Sequence, residues 1–232
     1  MKRYVLLSTI LMVAIAAQAQ YGYFPRPVRL GFKVDPVFIN SLKTLENGVS
    51  KTDSKFGVNY GLMADVMFID GRGAFATGLE VSHASAGLSY SDNTKGLRRG
   101  EATGQQNYLL KLQYLNIPLT VKLKTNMNEG FRWWGQFGGG LGALIRSRAD
   151  YSYTKTGGGN VSETNVNVMN QTNKVNLSLI MGAGGEYRLA ERTDLFFGLG
   201  FENGFTDITS NKQWNDGKVA LNRWAIRLGV FF

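Results

Sequence analysis

The chain offers little from which a catalytic centre could be built. His83 is its only histidine, and cysteine is absent. Ser85 lies two residues on and would share one face of an extended strand with His83. A serine activated by a histidine base is thus the one nucleophile on offer. Such a pair needs a carboxylate to orient the ring. The nearest later acids, Asp92 and Glu101, do not follow at a spacing that puts them beside it. No catalytic activity is expected, and His83 and Ser85 are the only candidates for it. With one histidine and no cysteine, a metal would have to rely on carboxylates, which are scattered singly, so no metal site is expected. Gly138-Gly139-Gly140 and Gly157-Gly158-Gly159 lack the following helix and lysine of a phosphate cradle, so no cofactor is expected. The formal charge is +9, yet basic and aromatic residues do not cluster as a nucleic-acid platform would.

The elements that must carry these residues are strands. The last stretch, Leu221 to Phe232, alternates strictly: Trp224, Ile226, Leu228, Val230 and Phe232 on one face, Arg223, Ala225, Arg227, Gly229 and Phe231 on the other. Seven earlier segments alternate in the same way, near 29–39, 56–68, 74–83, 108–124, 131–153, 175–189 and 194–203. The phase is undefined beyond His83. In the fourth segment the apolar residues move from even numbers (Tyr108 to Tyr114) to odd ones (Leu115 to Leu123), so a bulge is expected near Tyr114-Leu115. Pro36 is expected to mark a bulge or the end of regular pairing. The charges Lys33, Asp35, Asp65, Glu80, Lys111, Arg146, Glu186, Arg188, Glu202 and Arg227 are assigned to the face opposite the apolar stripes.

The connections alternate in length. Those after the odd strands are long and polar; those after the even strands are short. Residues 154–174, one of the long ones, read as either a loop or the tips of a protruding hairpin. Residues 1–19 carry a basic start (Lys2, Arg3), a short apolar run and a small-x-small site at Ala17-Gln18-Ala19, which reads as a cleaved export signal. Residues 20–28 are an extended periplasmic lead-in, and residues 29–232 form the folded unit. Export, short turns alternating with long loops, and aromatics at both ends of an apolar stripe together describe a transmembrane barrel. The expected fold is all-β: an eight-stranded antiparallel up-and-down barrel in the outer membrane. Its charges are expected to fill the lumen. Arg98 and Arg99, in a long outer loop, are expected to contact lipopolysaccharide.

Tyr114-Leu115-Asn116-Ile117-Pro118-Leu119 resembles the Tyr-Leu-x-Ile-Pro-Leu segment of the PorT-type family of small outer-membrane barrels. RLGFKVDPVF, WGQFGGGLGALI and the terminal phenylalanine are similar to that family's first strand, fifth strand and chain end. The resemblance implies an OmpX- or OmpA-like barrel and an accessory place in protein secretion for the member that names the family. The terminal strand is similar to the signal read by the barrel insertion machinery. His83-Ala84-Ser85 is similar to the His-x-Ser of outer-membrane lipid A deacylases, although Ala86 stands where they have Asn. Three readings stay open: a structural or interaction protein with an envelope partner, a small-solute channel, and a lipid A-modifying hydrolase.

Overall fold

Period-two alternation makes each long segment a strand with two unlike faces. The computed structural model describes residues 27–44, 47–69, 71–91 and 93–232, with 53, 54 and 69 by backbone only. The expected export signal, residues 20–26 of the lead-in, Asp70 and Asp92 lie outside the described residues. Ten strands follow in order: β1 (Val28–Thr44), β2 (Val49–Ser54), β3 (Gly57–Ile69), β4 (Gly73–Tyr90), β5 (Ala102–Lys124), β6 (Phe131–Lys155), β7 (Asn160–Asn167), β8 (Val175–Ala190), β9 (Thr193–Gly204) and β10 (Val219–Phe231).

Eight of these close a ring in the order β1-β3-β4-β5-β6-β8-β9-β10. Every pairing in it is antiparallel, and β10 returns to β1 from Gly31–Phe231 to Thr44–Val219. Closure removes both sheet edges, which a strand in lipid cannot leave unpaired. The other two strands raise the wall at the long-loop end. β2 pairs with β4 beyond the reach of β3, and β7 pairs with β6 beyond β8. Both are polar and fall in connections where the sequence shows no alternation. The 154–174 region is therefore a hairpin, turning at Gly157, Gly158 and Gly159, all at positive φ.

Two expectations about phase need correction. In β5 the even-numbered residues are buried without interruption from Gln106 to Lys124, so no bulge lies at Tyr114-Leu115. The extra residue is on the neighbouring strand. Gln113 pairs with Arg146 and Tyr114 with Leu144, which leaves Ile145 unopposed. After it the inward face of β6 changes from even to odd numbers. The second bulge follows Pro36 rather than coinciding with it: the β1–β10 register shifts between Val37 and Ile39. The apparent shift in β5 has a different cause. Alternation reports which face is apolar, not which face is inside. Leu115 to Leu123 point out, whereas Tyr108 to Tyr114 point in. The surroundings of the wall change at that height, and the side chains change with them. β4 behaves alike, with its even residues inward as far as Tyr90, which settles its phase beyond His83.

Candidate functional site

The lumen has two storeys. The lower one, toward the short turns, is charged. Asp65 on β3 takes Lys122 at 2.8 Å and Lys124 at 2.7 Å, both from β5. Glu186 on β8 takes Arg29 at 2.9 Å, Arg132 at 2.5 Å and Lys124 at 3.4 Å. Asp194 on β9 takes Arg29 at 3.0 Å, Arg132 at 3.3 Å and, at the rim, Arg188 at 3.2 Å. The Phe231 ring lies 4.1 Å from the Arg29 guanidinium and 4.9 Å from the Lys122 ammonium, adding cation–π attraction. Above this group Lys33 bridges Asp35 (3.0 Å) and Glu80, while Arg223 joins Glu202 and Ser82. Arg227 donates to Gln136 at 2.7 Å. The Arg227 guanidinium lies against Gly200, so a side chain there would make it shift. The remaining space among these groups is a cavity of about 50 Å³, room for a few waters and no more.

The upper storey is apolar. Leu88, Tyr90, Tyr108, Leu110, Leu112, Tyr114 and Tyr151 fill it, and Trp214 closes it from the β9–β10 loop. Trp214 stacks on Tyr90 at 5.8 Å and meets Tyr108 edge-on at 5.0 Å. Its indole N–H donates to the Gln171 carbonyl at 2.7 Å. The Tyr90 hydroxyl donates to Asp216 at 2.7 Å. Burial, then the neighbouring Asp207, holds the Asp216 carboxyl above the usual carboxylate range.

The outer wall shows the reverse pattern. An apolar belt runs round the ring: Leu30, Phe32, Leu62, Phe75, Leu79, Ile117, Leu119, Phe137, Leu141, Leu177, Leu199, Ile226 and Leu228 are exposed on it. Trp133 and Phe232 stand toward the short-turn end, Tyr60 and Trp224 toward the long-loop end. From Leu123 to Leu115 the belt is about 21 Å tall, at about 3.4 Å per residue and a tilt of about 40°, near the roughly 25 Å of an outer-membrane barrel.

Of the expected lumen charges, Lys33, Asp35, Asp65, Glu80, Glu186 and Arg227 are buried inside, Glu202 is half-buried there, and Arg188 lies at the lower rim. Lys111 and Arg146 are corrections. Both point outward, Lys111 because β5 keeps its phase and Arg146 because the Ile145 bulge turns it. Arg29, Lys122, Lys124, Arg132, Asp194 and Arg223 complete the lumen network; of these the sequence reading places only Arg223 on the face opposite the apolar stripe, and counts none among the lumen charges. The signal for Lys122, Lys124 and Arg223 was present, since each alternates with an outward apolar residue. Tyr114 and Pro118 point inward and Leu115, Ile117 and Leu119 outward, so this motif straddles the boundary between storeys. Its Asn116 donates to Glu80 at 3.4 Å.

His83 and Ser85 face outward on β4. The His83 ring stacks on Tyr60 at 5.8 Å, and its Nδ1 meets no hydrogen-bond partner among the described residues. Among the described residues no carboxylate orients it. Arg98 donates to the Tyr151 hydroxyl and lies 3.7 Å from Glu101; Arg99 donates to the Gln213 carbonyl at 3.2 Å. These two arginines tie the outer loops together.

A closed eight-stranded ring, apolar outside and charged within, is a transmembrane β-barrel. The chain belongs to the family described as outer membrane protein beta-barrel domain, whose model matches residues 17–210, and it is an outer-membrane protein. Among solved structures it is similar to Neisserial surface protein A (11% identity, 89% of this chain, 98% of that one, TM-score 0.42). It is also similar to Ail of Yersinia pestis (15%, 88% and 97%, TM-score 0.36) and to the outer membrane protease OmpT of Escherichia coli (9%, 88% and 94%, TM-score 0.40). Comparison with curated proteins finds no match.

Proposed function

We propose that the protein is a closed, non-enzymatic barrel that acts through its outer surface, as a structural or interaction component of the envelope. The observation that carries this is the two-storey lumen. Ion pairs fill the part level with the apolar belt, and an aromatic plug capped by Trp214 fills the part beyond it. Among the described residues these side chains stand across the path a solute would take, and no carboxylate orients the one histidine. What is left for contact is the raised rim, where β2 and β7 extend the wall. The Tyr114-to-Leu119 motif supports placement with the PorT-type barrels, and with it an accessory role beside a protein-secretion partner. The apolar terminal strand, Trp224 to Phe232, is read by the insertion machinery during assembly.

Single-channel recording in planar bilayers tests the reading. The purified barrel is expected to pass no steady current, and Trp214→Gly with Tyr108→Ala is expected to raise the frequency of brief openings. Steady conductance from the unaltered protein would favour the small-solute channel. Loss of an acyl chain from lipid A only in cells that carry the gene would favour the hydrolase.

A further inference from the structure

Three adjacent strands bring a two-row array of polar side chains to the outer wall just beyond the apolar belt. In the lower row His83 of β4 pairs with Gln113 of β5, and Gln113 with Arg146 of β6. In the next row outward Ser85 pairs with Lys111, and Lys111 with Arg148. The row below them, Val81, Leu115 and Ala143, is apolar. Strand spacing of about 4.8 Å keeps each row within reach of one small anion. By the rise and tilt used for the belt, Gln113 and Lys111 stand about 5 and 10 Å beyond Leu115.

The six side chains line an outer-wall groove of about 240 Å³ that also takes in Asn165 of β7. Arg146 makes no ion pair among the described residues. Arg148 gives one guanidinium N–H to the Asn165 carbonyl at 2.9 Å, which positions the side chain and leaves its other donors for a ligand. Lys111 meets Asp150 at 2.5 Å, and Lys55 also lies within electrostatic reach of that carboxylate. Among the described residues the patch therefore sets Lys55, Lys111, Arg146 and Arg148 against the acid Asp150. The buried Nδ1 of His83, which has no hydrogen-bond partner among the described residues, is a further polar atom at the same groove.

A cationic shelf directly above a lipid-facing belt meets headgroups. A lipid whose acyl chains cover Leu115, Ile117 and Leu141 places its headgroup at the height of Gln113 and Lys111. Guanidinium forks match phosphate with paired, charge-assisted hydrogen bonds, and an ammonium adds a point charge. Next to hydrocarbon those interactions are screened less than at an open surface. We propose that this shelf holds a phosphate of an outer-leaflet lipid of the lipid A class, clamped by Arg146 and Arg148 and assisted by Lys111. Its acyl chains lie along the belt below. The proposal goes beyond the closed-barrel reading and stands whether or not the lumen conducts.

The test compares the unaltered barrel, Arg146→Gln/Arg148→Gln and Arg98→Gln/Arg99→Gln, each purified from outer membranes in detergent. Heat-modifiable gel mobility first confirms that all three are folded. Native mass spectrometry then follows the binding of bisphosphorylated lipid A, dephosphorylated lipid A and inorganic phosphate. The expected result is about a tenfold loss of affinity for bisphosphorylated lipid A in the Arg146/Arg148 variant, from losing charge-assisted hydrogen bonds. The Arg98/Arg99 variant should bind like the unaltered protein, and dephosphorylated lipid A should bind all three equally and weakly. Equal binding by the unaltered and Arg146/Arg148 proteins would overturn the proposal. So would an equal loss in both variants, or full binding of the dephosphorylated lipid. Displacement of lipid A by inorganic phosphate at equal concentration would assign the shelf to free phosphate and overturn the lipid reading.

Discussion

The Asp35 carboxylate accepts the backbone N–H of Leu228 at 3.3 Å, tying the first strand of the barrel to the last by a side chain. The two strands pair at Lys33–Gly229 and again at Val37–Ala225, and Pro36, which lacks an N–H, falls in the interval. Asp35 thus reinforces the seam where the ladder is weakest, while its other oxygen holds Lys33 at 3.0 Å. Asp35→Ala removes both contacts and leaves Lys33 with Glu80 alone. We expect a loss of about 3 kcal/mol in urea unfolding from lipid vesicles, the scale for breaking a buried ion pair. Asp35→Asn keeps an acceptor for Leu228 and should lose less. An Asp35→Ala barrel as stable as the unaltered one would remove this role.

The terminal strand sets the cost of a charge on each face. Leu228 is 45% exposed on the belt, and Ala225 is 9% exposed inside. Leu228→Arg should cost about 2–4 kcal/mol near mid-membrane. The inward comparison needs an acid, because Ala225 lies between Arg223 and Arg227 beside the lumen cavity. Ala225→Glu should therefore assemble better than Leu228→Arg, as scored by heat-modifiable mobility. Equal failure of the two would mean that the faces are exchanged.

How far the chain could be read from its residues depends on what alternation measures. It located the eight ring strands, because a wall between lipid and lumen needs two unlike faces. It could not show β2, and it left β7 open between a loop and a protruding hairpin, because the faces of these strands meet water on one side and a rim on the other. It also misplaced a bulge. Tyr114 and Leu115 exchange apolar faces on a regular strand, whereas the true irregularity sits on β6 at Ile145, after a run, Phe137 to Leu144, that is apolar or glycine on both faces and so gives no phase to read. That one error carried Lys111 and Arg146 into the lumen. The outer-wall shelf stayed hidden for the same reason, since it exists only once β4, β5 and β6 are in register.

The cap over the plug should respond to pH through Asp216. Its folded-state pKa is raised, first by burial and then by Asp207. The folded barrel therefore binds this proton more tightly than the open loop does. Stability from the group is full below the ordinary carboxylate value and is lost as pH rises through the raised one. Hydrogen exchange in the loop around Trp214, or Trp214 fluorescence, should show more frequent opening as pH climbs above about 4. Asp216→Asn should flatten that dependence while keeping an acceptor for the Tyr90 hydroxyl. A pH response that persists unchanged in Asp216→Asn would assign it to another group.

The exchange of faces along β5 can be read directly, because the chain has no cysteine of its own. Lys111 points out beyond the belt, and its neighbour Leu112 points into the aromatic plug, 4% exposed. Lys111→Cys should react on intact cells with a membrane-impermeant maleimide, and Leu112→Cys should not. Two steps below, the contrast takes another form. Leu115→Cys faces hydrocarbon and should resist the same reagent, yet react with a lipid-soluble one. A bulge at Tyr114-Leu115 would put residue 112 outside and residue 111 inside, and so reverse the first pair. Labelling of Leu112→Cys in preference to Lys111→Cys would thus restore the bulge, return Lys111 to the lumen and take with it the cationic shelf built on its outward position.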